Sequence, residues 1–146
     1  METVPKAEIE KRISRFQAQL VAANLDGAFI VQNADLFYFS GTIQTAVLFV
    51  PSNGDPILMV QKSHARAQLE SSLSHVISVK NKNRIPQVLN EFKFNQIAAA
   101  GLEMDVLPAN LYLWFQRTLP QCRWTDVSGI IRKLRMLKSE YEIDQI

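Results

Sequence analysis

With 146 residues, 47% of them hydrophobic and 21% charged, the chain has the size and composition of one globular domain, which at this length buries roughly 70% of the surface its unfolded form exposes. One cysteine, Cys122, excludes an internal disulfide framework and points to a reducing compartment. A net charge of +2, with acids and bases interleaved everywhere except in "KNKNR" and "IRKLRMLK", excludes a basic stripe with interleaved aromatics, so no nucleic-acid partner is expected.

The first stretch, "METVPKAEIEKRISRFQAQL", is too charged and too evenly amphipathic for a signal peptide, and no apolar run approaches the roughly 18 residues of a membrane span. A cytoplasmic protein with no membrane partner is the expectation. Ile9, Ile13, Phe16 and Leu20 step by four, three and four, predicting an amphipathic helix over 6–23 with Pro5 suited to its first turn and 24–27 ending it. "AFIVQ" reads as a buried strand, and "NADLFYFSG" as a short helical or irregular turn lying over the sheet. "TAVLFV" and "PILMVQ" flank "PSNGD", whose Asn-Gly pair supplies the positive φ angles of a tight antiparallel hairpin.

Beyond the hairpin the pattern alternates. A helix through "SHARAQLESSL" precedes a strand "HVISV", a helix around "RIPQVLNEF" precedes a strand "QIAAAGLE", and a helix "PANLYLWFQRTL" precedes a strand "RWTDV" and a closing basic helix. Strands separated by helices require crossovers and mostly parallel pairing, and purely apolar strands such as "AFIV" belong to a sheet covered on both faces. The predicted fold is α/β: a mixed, mostly parallel sheet of about six strands with one antiparallel hairpin and helices on both faces.

Little of this resembles a catalytic centre. The five glycines are too dispersed for a dinucleotide fingerprint or a phosphate-binding loop, and no G-x-S-x-G elbow is present. His64 and His75 miss the i, i+4 spacing that puts two imidazoles on one helix face, and read as satisfied surface or interface histidines. Cys122 reads as structural, despite its neighbour Arg123. Glu103 and Asp105, at the end of a predicted strand, occupy the region where α/β proteins collect ligands, against the plainer reading of a turn leading into the next helix. Asp126 suits the positive end of the basic helix, and Trp114 and Phe115 read as core or interface anchors. "FYFSGTIQ" sets three aromatics before Ser-Gly-Thr in a connection, a placement suited to recognition; the plainer alternative makes Phe37 and Phe39 the lid of the core with Tyr38 alone facing out.

The C-terminal "IIRKLRMLKSEYEIDQI" carries an amphipathic helix through Leu137, and then Ser139 followed by Glu142 three residues later, a capping box opening a second helix. Ile143 and Ile146 begin its apolar stripe. Isolated helices below about 12 residues are marginal in water, so this one reads as the start of an element continuing beyond the chain, leaving Ile143 and Ile146 mobile without a partner surface.

"LRMLKSEYEI" closely resembles the segment that joins the N-terminal domain to the pita-bread metallopeptidase domain in creatinase, prolidase and aminopeptidase P relatives. The upstream order is similar as well: an N-terminal helix, a strand, "LFYFSGT", a hairpin, then "GLE" leading to a helix with "LP". The resemblance implies that residues 1–138 are a creatinase/prolidase-type N-terminal domain and that 139–146 begin the first helix of a C-terminal catalytic domain, with Arg135, Lys138, Ser139 and Glu142 at the junction. It implies a parent that is a cytoplasmic, dimeric hydrolase: an Xaa-Pro metallopeptidase of proline dipeptidase or aminopeptidase P type, acting on proline-containing peptides with two divalent ions, Mn or Co or else Zn. The metal-holding residues would all lie in the other domain, so no catalytic residue, metal ligand or cofactor is assigned to this chain. Its implied role is in dimerisation and at the active-site entrance, where Tyr38, Thr42, Ile43 and Gln44 are the matching residues. The alternatives within the resemblance are the N-terminal domain of a metal-free pita-bread-fold binding protein, or of a creatinase-type amidinohydrolase.

Overall fold

The computed structural model describes residues 3–146. Helix α1 (Lys6–Ala22) leads to strand β1 (Gly27–Ile30), helix α2 (Asn33–Ser40), strands β2 (Ala46–Pro51) and β3 (Ile57–Val60), and helix α3 (His64–Glu70). Strand β4 (His75–Ser78), a 3-10 turn (Lys82–Arg84), helix α4 (Ile85–Glu91), strand β5 (Ala99–Leu102), helix α5 (Ala109–Thr118), strand β6 (Arg123–Asp126), helix α6 (Ser128–Met136) and the short helix α7 (Glu140–Asp144) complete the order. Element types agree with the sequence reading throughout, and the segment 33–40 resolves to a helix.

The six strands form one sheet in the order β4-β3-β2-β1-β5-β6. Pairs β3–β4, β1–β5 and β5–β6 are parallel, while β2 is antiparallel to both β3 and β1. The expected hairpin is β2–β3, and the sheet is mixed and mostly parallel. The second antiparallel ladder, β1–β2, is not signalled by alternating strands and helices. Here α2 turns the chain at one end of the sheet, whereas a parallel crossover would carry it back along the strands. The hairpin also departs from a tight two-residue turn. Five residues separate β2 from β3, and only Gly54 has positive φ (115°), because a longer connection does not demand it of Asn53.

Residue alternation along the strands divides the core into two layers. Ala28, Ile30, Leu48, Val50, Leu58 and Val60 face α1, α2 and α6, where Phe16, Leu20, Phe39 and Ile131 are buried. Phe29, Val47, Phe49, Ile57 and Met59 face α4 and α5, where Val88, Leu89, Trp114 and Phe115 close the other side. Trp114 and Phe115 are therefore core residues. At the end of α1, Asn24 takes the left-handed conformation (φ 59°) and the Leu25 N–H reaches the Leu20 carbonyl at 2.9 Å, a Schellman-type stop that turns the chain into β1.

Candidate functional site

The start of α7 is tied back to the first helix by buried polar groups. Ser139 caps α7: its hydroxyl accepts the Glu142 N–H at 3.1 Å, and the Glu142 carboxylate accepts the Ser139 N–H at 3.2 Å, completing the capping box. The same hydroxyl donates to Glu8 Oε2 at 3.1 Å. That oxygen also accepts from Arg12 Nε at 2.9 Å, and Arg12 sends a second N–H to the Tyr38 carbonyl at 2.9 Å while lying 3.9 Å from Glu142 Oε2. Glu8, Arg12 and Ser139 are all buried. The Arg12 guanidinium sits 4.4 Å from the Tyr38 ring centre, and the Tyr38 hydroxyl donates to the Leu134 carbonyl at 3.3 Å. Burial pushes the Tyr38 phenol above its ordinary range. Arg135 donates to Asp35 at 2.9 Å, joining α6 to the start of α2, and Lys138 is exposed beside them.

Tyr38 thus belongs to this cluster, and the reading in which it alone faces out is corrected: Tyr38 is 7% and Phe39 0% exposed, while Phe37 is 44% exposed. That reading applied a two-residue alternation to a segment that is helical, where Leu36, Phe39 and Ser40 share the inner face and Phe37 falls outside.

The connection after α2 is built separately. Gly41 ends the helix in the left-handed conformation (φ 84°), so the chain can turn sharply against α3. Thr42 is buried and its hydroxyl donates to the Glu70 carboxylate at 2.6 Å; Gln44 donates to the same oxygen at 3.2 Å. The Thr42 hydrogen bond holds the Glu70 carboxyl below its ordinary range, with Arg66 adding to the effect. Between the two anchored residues Ile43 is 63% exposed. Of the four entrance candidates, then, Tyr38 and Thr42 are inside, Gln44 is half-buried, and Ile43 faces solvent.

The most perturbed acid is Glu103, which the sequence offers as a ligand position at a strand end or as part of a turn. Glu103, at the end of β5, is 1% exposed; its Oε1 accepts the N–H groups of Val31 at 2.6 Å and Gln32 at 3.1 Å. Its Oε2 is buried without a donor. Burial, and then the facing Asp35 carboxyl, push its pKa up to about 9. Its place after the apolar run "AAAGL", where strand ends converge, is the signal that singles it out in the sequence; its burial and its backbone partners are not signalled there. Asp105 pairs with Arg132, and Asp126 accepts from the Ser128 N–H at 3.0 Å at the start of α6, in keeping with the turn and capping readings.

No group of three or more His, Cys, Asp and Glu side chains comes together among the described residues, so the donors present do not fit a metal centre, and no metal step is derived for this chain. His64 Nε2 lies 2.8 Å from the Val76 carbonyl, and His75 packs on Phe92. Burial pushes the Cys122 thiol up to about 11, the reverse of an activated nucleophile. No described helix is long and apolar enough to cross a membrane.

The sequence matches the model of the creatinase/prolidase N-terminal domain over residues 12–137. Among solved structures, a proline dipeptidase from Streptococcus pneumoniae is similar at 19% identity and a TM-score of 0.74, over 86% of this chain and 98% of that one. An Xaa-Pro dipeptidase from Bacillus anthracis aligns at 17% identity and a TM-score of 0.79, over 93% of this chain and 38% of that one. The prolidase from Pyrococcus horikoshii aligns at 20% identity and a TM-score of 0.77, over 92% and 37%. At these identities the likeness is one of fold. The chain spans nearly all of the first structure and little more than a third of the other two. No curated protein matches it.

Proposed function

Because this chain belongs to the creatinase/prolidase N-terminal domain family, we propose that it is the non-catalytic N-terminal domain of an Xaa-Pro metallopeptidase of proline dipeptidase or aminopeptidase P type. The observation that carries this reading is the match over residues 12–137 of a chain that aligns almost whole onto about 38% of a longer Xaa-Pro dipeptidase. In this reading Ser139 opens the first helix of a downstream catalytic domain, which supplies two divalent ions, Mn or Co or else Zn, and the hydrolytic chemistry. Residues 1–138 contribute to a homodimer in the cytoplasm and to the rim of the entrance for a proline-containing peptide. Ile43 is the side chain best placed for that rim, being exposed on a connection that Thr42 and Gln44 hold against Glu70.

The test joins two measurements. The native reading frame downstream of codon 146 is read for a domain carrying two Asp, one His and two Glu, and the purified 146-residue chain is assayed against an Xaa-Pro peptide with Mn²⁺ or Co²⁺. The expected result is that the ligand set is present downstream and the chain alone is inactive. A stop codon, a downstream domain lacking those ligands, or metal-dependent turnover by the chain alone would each overturn the reading.

A further inference from the structure

A capping box of surface residues needs only its own Ser and Glu, yet here both are fastened to buried groups on other helices. Ser139 Oγ bridges the Glu142 N–H and Glu8 Oε2, and Arg12 spans Glu8, the Tyr38 carbonyl and the Glu142 carboxylate from a position only 5% exposed. Four separate segments are involved: α1 gives Glu8 and Arg12, α2 gives Tyr38, α6 gives the Leu134 carbonyl that Tyr38 binds, and the start of α7 gives Ser139 and Glu142. Burying a charged pair is costly unless its hydrogen bonds are filled, and removing one partner leaves the other stranded. The arrangement is therefore stable in one geometry, with the first turn of α7 in a set direction relative to α1. A flexible tether would leave Ser139 and Glu142 exposed and Arg12 free to point to water.

We infer that Glu8, Arg12, Tyr38, Ser139 and Glu142 form a rigid joint that fixes the direction in which the chain leaves the domain, with Arg12 as its central positioning residue. This rests on the reading of residues 139–146 as a domain junction, and specifies how that junction works: α7 leaves the domain in one set direction. Arginine suits position 12 because its planar fork donates to Glu8 and the Tyr38 carbonyl at once while facing the Glu142 carboxylate at 3.9 Å, which a lysine ammonium on a single flexible stem does not match.

The experiment is millisecond hydrogen exchange on the 146-residue chain, comparing the natural sequence with Arg12→Lys, Glu8→Gln and Ser139→Ala. The joint predicts that the Glu142 and Ile143 amides, both bonded to Ser139, are protected in the natural chain, so the mobility expected of this end is confined to the exposed Ile143 and Ile146 side chains and the residues after the first turn. It predicts that Arg12→Lys and Glu8→Gln each speed their exchange about tenfold, as Ser139→Ala does by deleting the cap itself, while amides of β1 and β2 change much less. Glu8→Gln is nearly isosteric and still accepts from Ser139, so it keeps the test open if Arg12→Lys fails to fold. Unprotected Glu142 and Ile143 amides in the natural chain would overturn the joint. So would exchange that is unchanged in both Arg12→Lys and Glu8→Gln, or that rises only in step with the core strands. None of these outcomes bears on the presence of a downstream catalytic domain, which the reading frame decides independently.

Discussion

Glu103 Oε1 lies 2.6 Å from the backbone N–H of Val31, so a side chain at the end of β5 satisfies the first amide beyond the end of β1. This is a local solution to a general problem. Where two parallel strands end and their connections diverge, backbone donors lose their ladder partners, and a buried group must take them. The cost is a carboxyl whose second oxygen is buried without a donor and whose pKa is raised from 4.5 to about 9 by burial and by Asp35.

Glu103→Gln is predicted to stabilise the domain at neutral and mildly alkaline pH. The folded chain holds the Glu103 proton up to about pH 9, whereas the unfolded chain releases it near 4.5. The stability tied to that proton is complete below about 4.5 and is lost as pH rises toward 9. Glutamine keeps the acceptor for Val31 and Gln32, offers Asp35 an N–H, and does not titrate. Urea denaturation at pH 8 should show a gain on the order of 2 kcal/mol, shrinking as the pH approaches 4.5. A variant less stable than the natural chain at pH 8 would show that Glu103 is ionised in the fold.

Thr42→Val should release the loop that carries Ile43. The Thr42 hydroxyl is the main reason that the Glu70 carboxyl lies below its ordinary range, so the bond adds stability above about pH 4.5 and is lost as pH falls through the folded value. Removing the hydroxyl should move the Glu70 titration, followed by NMR, back toward 4.5, and speed exchange of the Ile43 and Gln44 amides. An unmoved Glu70 titration would mean that the Thr42 contact is not formed in solution.

The paired substitutions Phe39→Ala and Phe37→Ala test the helical reading of residues 33–40. Phe39 is fully buried and stacks on Phe16 with ring centres 4.9 Å apart, so its truncation should cost about 3–5 kcal/mol. Phe37 is nearly half exposed, and its truncation should cost less than about 1 kcal/mol. Thermal or urea unfolding of the two variants distinguishes this from the strand-like alternation, which predicts similar losses for both.

These residues also mark where sequence reasoning reached its limit. Elements with a clear period were legible: the stripe Ile9, Ile13, Phe16 and Leu20 lies on the buried side of α1, and the capping box at Ser139 is formed as written. Segment 33–40 was harder because Leu-Phe-Tyr-Phe is apolar throughout, and a continuous apolar run carries no period from which to assign faces. The acidic groups were hardest. Glu8 and Arg12 look like an exposed i, i+4 pair on a charged helix, and only the tertiary partners Tyr38 and Ser139 bury them. Glu103 looks like the start of a turn until Val31 and Gln32 are seen to need it. Charge on a helix or at a strand end is ambiguous in sequence because burial of a polar group depends on partners tens of residues away.

Gly41→Ala provides the most direct test of how α2 and α3 together set the loop. The residue combines two demands: φ is 84°, a region that costs a side-chain-bearing residue roughly 1–2 kcal/mol, and an added Cβ would stand 3.1 Å from the Glu70 carbonyl oxygen. The two costs reinforce each other, since relaxing φ would move Thr42 away from the Glu70 carboxylate on which the loop is anchored. A loss of about 2 kcal/mol in urea denaturation is therefore expected, together with faster exchange at Ile43. A double variant, Gly41→Ala with Thr42→Val, should lose less than the sum of the two single changes, because each disrupts the same anchor. Full additivity would mean that the turn at Gly41 and the Thr42–Glu70 contact act independently, and that Ile43 is not held by them jointly.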